Sequence, residues 1–242
     1  MISEIDFSTK YSSFWRENVP WLEDYYAAVD SKVERLHLPA RFREKPGDVY
    51  ITNIIATTHL KNRFSNPQYS IDQSFEESRN FISAFEKKAV KKSLEEYRLT
   101  EDHRKLIALQ VERMADRYKS DLHFEPSFPG CGLLGNCEGD LICGNTLVEI
   151  KARVKGKRAY DYEDFKQILI YCALNYLAGD IYEIKRIELF NPREGLLWGE
   201  NLDEFVFLIS NSEPGGLFEK MGDFMASLSE PFTMADFNNF DL

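Results

Sequence analysis

Residues 141–150 read LICGNTLVEI, two short apolar runs joined by Gly144-Asn145. Such a pair between apolar runs is a two-residue hairpin signal, because glycine and asparagine accept positive φ at low cost. The hairpin constrains the fold through what flanks it. Upstream, FPGCGLLGNCEGD (128–140) carries Gly130, Gly132, Gly135 and Gly139 and reads as the strand and turn that set Asp140 in place. Downstream, DYEDFKQILIYCALNYLAG (161–179) has the apolar content of a packed helix. Asp161 or Asp164 serves its start and Gly179 its end. IYEIKRIELF (181–190) is a strand, NPREG a turn and LLW a further short strand. Hairpin, helix, strand, strand predicts an α/β fold with a central mixed sheet flanked by helices.

The first 120 residues carry helical spacing. SSFWRENVPWLEDYYAAVDSKVERL is broken by Pro20, PARFREKPGD is a loop, and Ile71–Leu99 is charged and helical. Thr100, followed by Glu101 and Asp102, reads as the N-cap of a helix running to about Tyr118. VYITNIIATTHLKNRF could be helix or strand, because its β-branched residues pull a helix-length segment toward strand. LDEFVFLIS and GLFEKMGDFMASL predict two closing helices. The expected organisation is a helical region over 1–120, an α/β core with C-terminal helices over 121–230, and a mobile tail over 231–242.

Net charge is −10, which by itself argues against a nucleic-acid partner. Its distribution matters more. Residues 199–242 hold nine acids and one base, a net of −8, whereas five of the eight residues from Lys151 to Arg158 are basic. No apolar run reaches the ~18 residues of a membrane span. The N-terminus lacks the basic and apolar segments of a signal peptide, so an intracellular, cytoplasmic location is expected. The four cysteines (Cys131, Cys137, Cys143, Cys172) form no CxxC pair and read as buried free thiols. A regulatory protein holding a metal or cluster on them is a third, weaker reading.

The hairpin carries charges where a half-buried sheet wants apolar side chains. Glu149 and Lys151 are two apart and share a face, while Ile150 points the other way. Pairing about Gly144-Asn145 brings Asp140 close to Glu149 or Lys151. Two converging carboxylates repel unless a cation or a proton lies between them. Mg²⁺ takes such ligands, and the Ile150 carbonyl is a further candidate donor. A lysine beside such a cation can orient or deprotonate water, or stabilise charge on a phosphorane. The plainer reading is a solvated cross-strand ion pair between Asp140 and Lys151. Gln167, Tyr171 and Asn175 then fall at i, i+4 and i+8 as a polar stripe on an apolar helix.

Gly139-Asp140, Glu149-Ile150-Lys151 and Gln167-Ile168-Leu169-Ile170-Tyr171, in this order and on a hairpin followed by a helix, resemble the PD-(D/E)xK nuclease superfamily. Within it they are most similar to the RecB-like exonuclease branch and its defence-associated relatives. The likeness covers about residues 126–195 and leaves the N-terminal helices without a counterpart. It implies a restriction-endonuclease-like core and a metal-dependent nuclease acting on DNA, in antiviral defence or repair. Mg²⁺ is the implied cofactor, with Mn²⁺ able to substitute, and an ATPase or other protein subunit is an implied partner. Asp140 and Glu149 would hold metal, Lys151 would assist the attacking water, and Gln167 and Tyr171 would support them. An additional acid from a preceding helix is implied; Glu112 is the first choice, with Asp116 and Glu138 as alternatives. The branch often carries a histidine in that early helix, and His103 has little claim to it because it stands near its helix's start. Arg153, Lys155, Lys157 and Arg158 form a basic loop suited to phosphate contacts. Arg193 is a candidate for phosphate or for stabilising its turn. The alternative function is a non-catalytic nucleic-acid-binding or assembly subunit that keeps the fold.

Overall fold

Helix signals in the first half of the chain are used nearly one for one. The computed structural model describes every residue except 43, 86–87, 155–157 and 229–242, so the expected tail lies outside the described residues. Ser3 caps Glu4–Lys10 (α1) in a box with Asp6, and Ser12–Asn18 (α2) and Leu22–Ala28 (α3) follow around Pro20. Glu34–Arg35 (β1) is a short strand. The ambiguous segment is helical: Pro46–Ser65 (α4) begins with proline in its first turn, where no N–H partner is required. Ile71–Phe85 (α5) and Lys88–Glu96 (α6) precede Glu101–Arg117 (α7), which Thr100 caps by accepting the His103 N–H at 3.3 Å.

The strands follow. Leu122–Phe124 (β2) leads into a two-stranded ribbon, Ser127–Phe128 (β3) with Cys137–Glu138 (β4). Leu141–Cys143 (β5) and Thr146–Ile150 (β6) form the expected hairpin, with Gly144 at φ +58°. Tyr162–Leu177 (α8) crosses from β6 to Arg186–Asn191 (β7), which turns into Leu196–Asn201 (β8). Leu202–Ser210 (α9) and Pro214–Ser227 (α10) close the described chain.

Six strands make one mixed sheet, ordered β1-β8-β7-β6-β5-β2, with β6 and β7 parallel and every other neighbour antiparallel. Alternation along β5 and β6 divides the core in two. Ile142 and Leu147 join Ile187, Trp198 and the buried faces of α8, α9 and α10. Leu141 and Val148 join Phe190, Leu197, Ile51 and Ile55 of α4, and Val111 and Met114 of α7. The N-terminal helices contribute to both layers. Phe7, Trp15 and Leu22 pack into the first core, and α4 to α7 cover the second. Among the described residues no helix is long and apolar enough to cross a membrane.

Candidate active site

Hairpin register places the acids. Leu141 pairs with Val148 and Cys143 with Thr146, so Asp140 falls across from Glu149 at the open end. The backbone around Asp140 is pinned: its carbonyl accepts the Glu125 N–H at 3.1 Å, and the Gly139 N–H reaches the Pro126 carbonyl at 3.0 Å. The glycine-rich stretch therefore does set Asp140 in place, through the β3–β4 ribbon. Asp140 Oδ2 accepts the Ile150 N–H at 2.6 Å, which draws its side chain across the end of β6. Ile150 itself packs toward the α4 side, opposite Glu149.

Lys151 sits where strand and helix meet. Its Nζ donates to Glu149 Oε1 at 2.9 Å and to Gln167 Oε1 at 2.6 Å. Gln167 Nε2 in turn donates to the Tyr171 hydroxyl at 2.8 Å. Tyr171 is buried and stacks on Phe128, ring centroids 5.2 Å apart. The fold thus joins Asp140, Glu149, Lys151, Gln167 and Tyr171 into one connected cluster. Asn175, the third residue of the polar stripe, has a different task. Its amide bonds the Tyr182 carbonyl (2.7 Å) and N–H (2.9 Å), tying α8 to the chain that enters β7.

Burial sets the electrostatics. Desolvation, then the charge of Asp140, pushes the Glu149 carboxyl up to about 8 from an ordinary 4.5. Desolvation also raises Asp140, against the opposing pull of Lys151 and the Ile150 N–H. Burial alone would lower the Lys151 ammonium, but Glu149, Asp164 and Asp140 together raise it. Burial keeps Tyr171 a neutral phenol. Two buried carboxylates this close do not both stay charged unless a cation neutralises them. Glu149 Oε2 is buried and has no hydrogen-bond partner among the described residues. An orphaned carboxylate oxygen beside a second carboxylate fits a hard divalent cation. Among the described residues no three His, Cys, Asp or Glu side chains are grouped to hold a metal. Water and substrate oxygens would complete a shell begun by two protein carboxylates, as Mg²⁺ commonly accepts.

The approach to Asp140 and Lys151 runs along α4. Tyr50, Asn53, Ile54 and Thr57, on one face of that helix, line a cleft of about 330 Å³ with Asp140 and residues 150–153. Asn53 Nδ2 donates to the Ala152 carbonyl. At the far end of this face Lys61 pairs with Glu125 at 2.5 Å. The sequence does not reveal this wall, because the pattern of α4 is ambiguous and its contact with the hairpin spans about a hundred residues of chain.

Other expected participants lie elsewhere. Glu112 is exposed on α7 beside Arg113, and Asp116 and Glu138 are also exposed. None of the three lines the cleft. His103 stacks on Tyr97 in the α7 cap, centroids 4.8 Å apart. Arg193 is buried and ion-paired with Glu44 of the loop before α4, so its charge is engaged away from the cleft. Arg153 lies at the cleft but pairs with Asp161 and Asp164. Arg158 donates to the carbonyls of Tyr26 and Ala27, both at 2.9 Å, and covers the Tyr26 ring. Lys155 and Lys157 lie outside the described residues. Cys137 and Cys172 are buried free thiols, while Cys131 and Cys143 are only half-buried.

One acid of the cluster was legible only as part of a helix start. Asp164 closes a capping box with Asp161, accepting its N–H at 2.8 Å. Asp164 Oδ1 is also 3.7 Å from Lys151 Nζ. Its spacing to Gln167 and Tyr171, i to i+3 to i+7, puts all three on one helix face and is the signal that would have found it. No protein-family model, curated protein or solved structure matches the chain.

Proposed function

We propose that the chain is a metal-dependent nuclease that hydrolyses DNA phosphodiester bonds on a restriction-endonuclease-like core. The observation that carries this reading is the lysine. Lys151 Nζ is held by Glu149 at 2.9 Å and Gln167 at 2.6 Å, at the end of a hairpin that presents Asp140 opposite Glu149. A solvated surface ion pair would not bury its glutamate, orphan one of that glutamate's oxygens or recruit a helix glutamine.

Asp140 and Glu149 would hold Mg²⁺ or Mn²⁺, with the Ile150 carbonyl as a candidate third donor. The bound ion would supply Lewis-acid polarisation of a phosphoryl oxygen and a more acidic water. The chain's own residues do the rest. The Glu149 carboxyl, raised by burial and by the charge of Asp140, would release its proton to solvent where a cation took its place. Lys151, kept charged by its acidic neighbours, donates a hydrogen bond to the attacking water or to the phosphorane oxygen. Gln167 orients the ammonium, and the buried Tyr171 hydroxyl fixes the amide of Gln167.

The test is cleavage of single-stranded, duplex and nicked DNA by purified protein with Mg²⁺ or Mn²⁺. Asp140→Asn and Lys151→Ala are each expected to lower the rate about a thousandfold or more while the protein stays folded. Cleavage that survives both substitutions unchanged would overturn the assignment. Salt-sensitive DNA binding without cleavage in any metal would favour a non-catalytic binding subunit instead.

A further inference from the structure

Asp164 has two carboxylate oxygens with different duties. Oδ2 accepts the Asp161 N–H and takes the Arg153 guanidinium, which fixes the carboxylate at the first turn of α8. Oδ1 is left facing Lys151 Nζ at 3.7 Å, within ion-pair range but longer than a hydrogen bond. The Asp164 side chain is 8% exposed, so little water competes for that oxygen. Lys151 therefore has three oxygen partners arranged around it: Glu149 and Gln167 in contact, and Asp164 standing slightly back.

The arrangement is redundant for a salt bridge, since Glu149 alone would pair the lysine. It is not redundant for a lysine whose first partner has a second task. Glu149 is also the residue that faces Asp140 across the hairpin and carries the orphaned oxygen. We propose that Asp164 is a positioning residue for Lys151, the carboxylate that keeps the ammonium in place when Glu149 is engaged by a cation. This inference rests on the nuclease reading of the same site. It assigns the acid beyond Asp140 and Glu149 to the lysine rather than to the metal.

Asp164→Asn tests it, because asparagine keeps an oxygen for the Asp161 N–H and preserves the cap. The control is Asp161→Asn, which changes the N-cap side chain and weakens the Arg153 pair without touching Lys151. Asp164→Asn is expected to lower kcat tenfold or more, with KM for DNA and Mn²⁺ affinity within about twofold of the parent. Mn²⁺ affinity is read separately, by the electron paramagnetic resonance signal of the free ion. Asp161→Asn is expected to leave kcat within about twofold. Three results would overturn the proposal. Equal losses in the two variants would make Asp164 a helix cap only, and a large loss of Mn²⁺ affinity in Asp164→Asn would make it a metal ligand. A kcat unchanged in Asp164→Asn would also overturn it, and the nuclease reading would stand provided Lys151→Ala and Asp140→Asn still abolish cleavage.

Discussion

Glu149 and Glu188 lie on adjacent parallel strands, and both are nearly closed to solvent. Their surroundings differ. Glu188 is saturated: Arg117 reaches it through two nitrogens at 2.6 and 3.1 Å, Arg186 at 3.0 Å and the Tyr118 hydroxyl at 3.0 Å. Glu149 has Lys151 on one oxygen, no hydrogen-bond partner for the other among the described residues, and a second acid across the hairpin. A buried carboxylate that serves structure is surrounded by donors, because each lone pair left bare costs free energy. One left short of donors beside a second acid is suited to bind something that arrives from outside.

The sharpest way to break this comparison is to neutralise each glutamate in turn. Glu149→Gln is expected to abolish DNA cleavage, a loss of a thousandfold or more, in a protein that stays folded. Glu188→Gln should leave the cleavage rate within a few-fold but lower stability by about 2 kcal/mol, because Arg117 and Arg186 lose their shared negative charge and one acceptor oxygen becomes an NH2 facing donors. Rate assays and urea melts on the two variants measure both. Similar losses of cleavage in both would erase the distinction.

A smaller effect concerns pH. With its carboxyl pushed up to about 8, native Glu149 keeps a proton that the unfolded chain has lost above about 4.5. The folded state binds more protons across that window, so this group's contribution to stability falls as pH rises through it. Glu149→Gln has no such titration and should gain on the parent between pH 5 and 8, by on the order of a few kcal/mol at the upper end. Urea melts of the two proteins at several pH values check the sign. The same proton predicts that Mn²⁺ binding strengthens as pH approaches 8 and releases protons, which calorimetry in buffers of different ionisation enthalpy detects.

The smallest expected effect is at the turn. Gly144→Ala meets no neighbouring atom within 4 Å, so its cost is the strain of alanine at φ +58°, about 1 kcal/mol. Thermal melts measure it. Cleavage should be unchanged, since both acids lie at the other end of the hairpin.

Much of this was legible in the sequence because the interactions are local. Two apolar runs about Gly144-Asn145 determine a hairpin, and period-two alternation puts Glu149 and Lys151 on one face. A helix that starts at Asp161 carries Gln167 and Tyr171 on one side. What the sequence left open depends on contacts between distant segments. Propensity alone did not choose helix or strand for residues 49–64; packing of Ile51 and Ile55 on the sheet did. Glu112 and Glu138 have side chains as suitable as that of Asp164, and only the tertiary structure turns them to solvent while holding Asp164 beside Lys151. Likewise, Arg153 and Arg193 read as similar basic residues. One meets two aspartates at the cleft and the other is sealed against Glu44, because long-range packing decides which charges water can reach.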